Sequence, residues 1–192
     1  MASVLLVIDM QVGVLRSCDR ADEALRATAA LLAKARAAAV PVVYVQHEAD
    51  NLSHGSRMWQ VAAEVAPLPD EPRVYKRYRD GFAATDLKQV LETAFADVAP
   101  AGSETRKELV IVGAKSNNCV WTTTTRALVE GYDVVLVSDA HTTSGLDLPA
   151  GSVSGAQLSD SVSDYFTYAG KAADGGYPGR HIQVLTAAEV EF

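Results

Sequence analysis

The 192-residue chain is 48% hydrophobic and 21% charged, enough apolar material to bury a full core as one compact domain over 1–192. A formal net charge of −7 argues against nucleic acid or an anionic membrane as partner, since both need clustered Lys and Arg, and the short basic stretch Lys76-Arg77-Tyr78-Arg79 is too small for a phosphate-tracking groove. No apolar run nears the ~20 residues of a membrane span, and Val4–Ile8 lacks both a basic region before it and a small-residue cleavage site after it, so it does not read as a signal peptide.

Ser3–Asp9 is an almost continuous apolar run ending in a carboxylate, the pattern of a strand buried on both faces of a parallel sheet. Ala21–Val40 reads as a helix, with Leu25, Leu31 and Leu32 as its apolar stripe, Asp19 or Asp22 as its cap and Pro41 as its stop. Val42–Gln46 is a second strand. A loop from His47 to Pro72 follows, with a turn of helix near Trp59–Val65, and Arg73–Lys76 is a short third strand. Thr85 caps a helix running to about Phe95, and Val98–Lys107 carries the Pro, Gly and Ser of a surface loop. Glu108–Gly113 is a fourth strand, and a helix from about Asn118 to Glu130 ends at Gly131. Tyr132–Ser138 is a fifth strand; a Gly/Ser-rich loop (Thr142–Gly155), a helix (Ala156–Lys171) and a last strand (His181–Leu185) complete the series. Alternating strands and helices predict a three-layer α/β fold with helices on both faces of a parallel sheet.

Ligands in such sheets bind beyond the carboxyl ends of the strands. Asp9, Gln46-His47, Lys76, Gly113–Cys119 and Ser138–His141 fall there. Cys119 sits in a strand-to-helix turn, where the helix macrodipole favours thiolate and backbone N–H groups without helical partners can face an oxyanion. Asp9 is placed to take the thiol proton, and Lys76 to orient Asp9 and stabilise negative charge. Each has a plainer reading, as a small core hydrophobe, a turn cap and a solvated lysine. Only their joint placement at one sheet edge raises all three. The second thiol, Cys18, reads as inert; two cysteines at this spacing make neither a metal site nor a disulfide framework, and a reduced thiol fits a cytoplasmic address.

Three motifs resemble the isochorismatase-like cysteine hydrolases, a family that includes nicotinamidases, N-carbamoylsarcosine amidases and ureidoacrylate hydrolases. Leu6-Val-Ile-Asp9-Met-Gln11 is similar to the family's opening strand. Lys76-Arg-Tyr-Arg-Asp-Gly-Phe82-Ala-Ala-Thr85-Asp86-Leu87 is similar to its lysine segment, and Gly113-Ala-Lys-Ser-Asn-Asn-Cys119-Val-Trp, followed by Gly131-Tyr-Asp-Val and Asp139-Ala-His141-Thr-Thr, to its nucleophile segment. The likeness runs from Val4 to about Thr143. It implies a Rossmann-like, six-stranded parallel sheet and acyl-enzyme chemistry in which Asp9 deprotonates Cys119 and Lys76 completes the triad. It further implies a non-proline cis peptide in the Ala114-Lys115 region, an oxyanion hole formed by the N–H groups of Lys115 and Cys119, and a homodimer or homotetramer.

Two departures bear on substrate. Nicotinamidases of this family bind a metal through an Asp-x-His pair after the second strand plus a further His; here that stretch is Gln46-His47-Glu48-Ala49, and the pair is missing. His47, Asp50 and His54 offer only an improvised alternative in a solvated loop, so the expectation is no metal and no cofactor. Just before the nucleophile, Ser116-Asn117-Asn118 stands where relatives often carry Thr and then an acidic residue, which suggests an altered substrate. Gln11, Trp59, Tyr78, Phe82, Asn118 and Trp121 are the expected lining of a pocket that clamps a planar amide or heterocycle, and His141 reads as a loop brace. The leading expectation is a metal-independent hydrolase cleaving the C–N bond of a small carboxamide, ureido or lactam substrate. Its rivals are a vinyl ether hydrolase of isochorismatase type, which needs only Asp9 and Lys76, and a non-catalytic binding protein on the same fold.

Overall fold

In the computed structural model, which describes residues 1–99, 105–171, 177 and 179–192, the apolar runs become strands of one sheet. β1 (Ala2–Ile8), β2 (Val42–His47), β3 (Arg73–Lys76), β4 (Lys107–Ala114), β5 (Asp133–Thr142) and β8 (Ile182–Leu185) pair in the order β3-β2-β1-β4-β5-β8. Every pairing is parallel. The continuous apolar character of β1 follows from burial on both faces: Val4, Leu6 and Ile8 join one core layer, and Leu5 and Val7 the other. The first layer is closed by α3 (Leu87–Val98), α4 (Trp121–Glu130) and α5 (Gly155–Lys171), through Leu91, Phe95, Leu128 and Phe166. The second is closed mainly by α2 (Ala21–Ala37), through Leu31 and Leu32. A four-residue helix, α1 (Val12–Leu15), follows β1.

The chain moves outward from β1 to β3, then returns to lay β4 on the other side of β1. That reversal opens a crevice past the carboxyl ends of β1 and β4. The two backbones meet closely there. Ile8 pairs with Gly113, whose φ is +139°, and a Cβ on Gly113 would lie 2.1 Å from the Ile8 carbonyl oxygen. Gly113→Ala is therefore expected to cost at least about 2 kcal/mol, because both the backbone conformation and the contact refuse a methyl. Thermal and urea unfolding of the purified variant check this; an unchanged midpoint contradicts it.

Local details differ from the sequence expectation in four places. Neither Asp19 nor Asp22 caps α2; its first flanking residue is Arg20 at φ +54°, and the Asp19 carboxylate instead accepts from the Ala156 N–H at 3.3 Å. Asp86 rather than Thr85 flanks α3, with Thr85 Oγ1 accepting from the Leu87 N–H and donating to the Gly81 carbonyl. The helix expected from Asn118 begins as a π-helical turn, Ser116–Val120, before α4 proper. Thr142–Gly155 is not a plain loop: β6 (Leu146–Leu148) and β7 (Gly151–Val153) form a separate antiparallel pair, short enough to be hidden by their Gly, Ser and Pro content. Part of the expected Val98–Lys107 loop lies outside the described residues. Among the described residues, no helix is long and apolar enough to cross a membrane.

Candidate active site

Two strand ends and one turn deliver the candidate catalytic groups to the crevice. Asp9 leaves β1 at φ +50°, a left-handed conformation that Asp and Asn tolerate better than most residues, and its N–H donates to the Val45 carbonyl at 2.8 Å. Lys76 ends β3, two strands away and so roughly 10 Å off. Its four-carbon stem spans that gap, crossing β2 where His47 pairs with Lys76. Cys119 rides on the π-helical turn, after an Ala114–Lys115 peptide bond that is cis.

The three meet. Lys76 Nζ donates to Asp9 Oδ2 at 2.6 Å and to Cys119 Sγ at 3.2 Å. It also lies 3.3 Å from the Tyr78 carbonyl oxygen and 3.3 Å from His47 Nδ1. Asp9 and Lys76 are each 1% exposed, so this is a buried ion pair. Asp9 Oδ1 is buried with no hydrogen-bond partner, an acceptor left free on the side the salt bridge does not use. Burial acts to lower the Lys76 pKa, but the Asp9 charge, followed by Cys119, holds the ammonium above the ordinary lysine range.

The thiol is not the preformed thiolate that its place in the turn suggested. Burial, and then the charge of Asp9, push its pKa up to about 12, with Lys76 only partly opposing them. A protonated resting thiol needs a base at the moment of attack. The position at a helix start is outweighed because desolvation acts on the sulfur directly.

A cavity of about 280 Å³ opens onto Asp9 and Cys119. Its polar lining comprises Asp9, His47, Asn51, Arg79, Lys115 and Asn118 beside the Cys119 thiol, and Gly13, Val14 and Leu52 supply apolar wall. A larger groove of about 580 Å³ at the amino ends of β2 and β3 contains none of the three candidate catalytic residues.

Of the six residues expected to line the pocket, Asn118 does. Gln11 is fully buried and its amide is spent on backbone: Nε2 donates to the His47 and Trp59 carbonyls, and Oε1 accepts from the His47 N–H at 2.8 Å. Trp59 is buried and packs on His54 and Tyr75. Tyr78 is 60% exposed, turned outward while its carbonyl meets Lys76. Phe82 packs into the core and stacks on Tyr132, and Trp121 packs on Tyr165 and Phe166. The aromatic residues pack on other rings or, like Tyr78, turn to solvent, and the cavity is bordered mainly by polar and small aliphatic residues.

The Ser116-Asn117-Asn118 departure also divides. Ser116 is buried, with its Oγ bonded to His141 Nδ1 at 2.8 Å and to Ser159 Oγ at 2.9 Å, and Asn117 Oδ1 accepts from Thr143 Oγ1. Only Asn118 borders the cavity. The Lys115 carbonyl accepts from the N–H groups of Asn118 and Val120, and no backbone carbonyl outside the π-helical turn engages the N–H of Lys115 or Cys119 among the described residues. Cys18 is partly buried and does not line this cavity; it donates to the Val14 carbonyl at 3.3 Å, and desolvation raises its pKa to about 11.

His47, Asp50 and His54 do not converge. His54 pairs with Glu48 at 2.7 Å, and His47 faces Lys76. Among the described residues, the side chains that do converge as a potential ligand set are Asp9, His47 and Cys119, whose ligand atoms lie within 4.8 Å of one another. The Lys76 ammonium already touches all three. The donor set thus fits a built-in cation, and no step is assigned to a metal.

His141, reached through a bulge in β5 that places it opposite Gly113, is buried, and its Nε2 contacts Ser163 Oγ at 2.9 Å. Burial lowers its pKa from 6.5 to about 4. As pH falls from 6.5 the unfolded chain takes up this proton before the native one does. Stability is therefore full above pH 6.5, is lost on the way down to pH 4, and levels off below that, by on the order of 3 kcal/mol. Unfolding free energies measured across pH 4–7 should show a shallower slope in His141→Asn than in the parent; equal slopes contradict the assignment.

A parallel α/β sheet with a cysteine, a carboxylate and a lysine converging at its switch point defines the class. The comparisons agree: the isochorismatase domain model matches residues 3–159, and the chain belongs to the isochorismatase family. It is 37% identical over 153 residues to a streptothricin hydrolase of Streptomyces noursei, covering 76% of this chain and 56% of that protein. A second streptothricin hydrolase from that organism is 36% identical, so the chain spans about half the length of these curated relatives (56% and 51%). A crystal structure from Oleispira antarctica, described as an isochorismatase hydrolase, superposes with a TM-score of 0.82 at 28% identity, covering 98% of this chain and 95% of the other. The N-carbamoylsarcosine amidase of Thermoplasma acidophilum shares the fold at a TM-score of 0.73 and 22% identity, covering all of both chains.

Proposed function

We propose that the protein is a metal-independent cysteine hydrolase that cleaves the C–N bond of a small carboxamide, ureido or lactam substrate through a thioester on Cys119. The observation that carries this reading is the buried Lys76 ammonium, 2.6 Å from Asp9 and 3.2 Å from Cys119, with the second Asp9 oxygen unpartnered. Asp9 takes the thiol proton as Sγ attacks the carbonyl carbon, so thiolate exists only where it is consumed. The oxygen of the tetrahedral intermediate is received by the N–H groups of Lys115 and Cys119. Collapse breaks the C–N bond, with Asp9 returning its proton to the departing nitrogen. Water, deprotonated by Asp9, then cleaves the thioester and restores the thiol.

Lys76 keeps Asp9 ionised and oriented throughout. Kinship to a protein named for hydrolysing streptothricin supports turnover over mere binding. The Cys119 thiol at the focus of the site weighs against vinyl ether hydrolysis, which makes no use of it. The test is a panel of small carboxamides, ureides and lactams given to the parent and to Cys119→Ala. Turnover by the parent and its loss in the variant is the expected result; undiminished turnover in the variant refutes the nucleophile.

A further inference from the structure

Resting on the reading of this crevice as an amide-hydrolysing site, we propose that it selects substrates carrying an anionic group, a carboxylate above all, near the scissile carbonyl, with Arg79 as the residue that reads it. The pocket's charge census points there. Although the chain carries a formal net charge of −7, Asp9 is the sole carboxylate among the described residues that line the cavity. Its charge is already paired with Lys76.

Three basic residues share the lining. His47 is held neutral, because burial and then the Lys76 charge lower its pKa. Among the described residues Lys115 bonds only to the neutral hydroxyls of Ser17 (3.3 Å) and Ser144 (2.9 Å), which leave its charge uncompensated. Arg79 is exposed, and among the described residues it has no ion-pair partner, whereas its neighbour Arg77 lies 3.8 Å from Glu48. Asn51 and Asn118 add neutral donors. A guanidinium with a free planar fork beside a thiol nucleophile is suited to a carboxylate, and it repels a cation. Segment geometry sets its place: Lys76 donates to the Tyr78 carbonyl and Thr123 Oγ1 donates to the Arg79 carbonyl at 3.4 Å, so both sides of this turn are tied down.

The test needs no knowledge of the substrate. Iodoacetate and iodoacetamide are nearly the same size and differ by one negative charge, and both consume the same Cys119 thiolate, so the ionisation of the thiol cancels in their rate ratio. Each rate is read from the mass of the Cys119-containing peptide, which keeps Cys18 out of the measurement. The iodoacetate-to-iodoacetamide ratio should exceed that of free cysteine about fivefold at low salt. It should fall to within about twofold of free cysteine in Arg79→Gln and be largely kept in Arg79→Lys. A ratio no higher than that of free cysteine overturns the proposal, and so does a raised ratio that Arg79→Gln leaves in place. The two readings fail separately: a ratio that depends on Arg79 with no turnover of any amide refutes the hydrolase and leaves the anion site, and turnover lost in Cys119→Ala with an ordinary ratio does the reverse.

Discussion

Asp9→Asn should silence hydrolysis while making Cys119 easier to alkylate. Removal of a general base costs about 10²–10⁴-fold in rate, and the upper end applies here because the thiol, at a pKa of about 12, is almost wholly protonated at neutral pH. After burial, the Asp9 charge is the largest influence raising that pKa, and Lys76 works against it. With the carboxylate gone the ammonium faces the sulfur alone. Thiolate should then form at lower pH, and iodoacetamide should label Cys119 at least about tenfold faster at pH 8, tenfold being one pH unit in the titration. Asn suits the test because it tolerates the φ of +50° at position 9. A base with no charge effect on the thiol would lose turnover without faster labelling; a bystander would change neither.

Lys76→Met should destabilise the protein by about 3–5 kcal/mol, the usual cost of stranding one partner of a buried ion pair. Neither side chain has solvent to fall back on: relative exposures are 0% for Lys76 and 2% for Asp9. The stranded carboxylate would hold one oxygen already without a partner and lose the other's. Adding Asp9→Asn to Lys76→Met removes the uncompensated charge and should recover most of the loss, so the double variant should be more stable than the single. Urea unfolding of all four proteins measures the coupling. Additive losses would mean that the pair contributes separately and that its burial is of little energetic consequence.

The framework of this site was legible in the sequence because strand ends announce themselves. The apolar runs ending at Asp9 and near Gly113 and the short strand ending at Lys76 each lead into a candidate functional residue at or soon after the strand end. A parallel sheet brings such breaks to one edge whatever the loops do. The lining of the pocket was not legible, for a physical reason. Gln11, Trp59, Phe82 and Trp121 have the chemistry of ligand contacts, but backbone carbonyls take up the Gln11 amide and neighbouring rings cover the three aromatic faces first. Val14, Asn51, Leu52 and Arg79 acquire their place only when the segment after β2 folds back on itself, with Ala49 bridged to Leu52, and when Gln11 bridges to Val61. Those contacts are non-local and carry no periodic signal. The charge state of Cys119 was misread for a related cause: a turn before a helix is visible in sequence, whereas desolvation depends on everything packed around the sulfur.

The mechanism is tested most directly by acid-quenching the protein during turnover of an amide from the panel and reading its mass intact and by peptide. The account predicts an increment equal to the acyl portion of the substrate, located on Cys119 and absent from Cys119→Ala. An increment located on any other residue, or steady turnover by Cys119→Ala at the parent's rate, contradicts it.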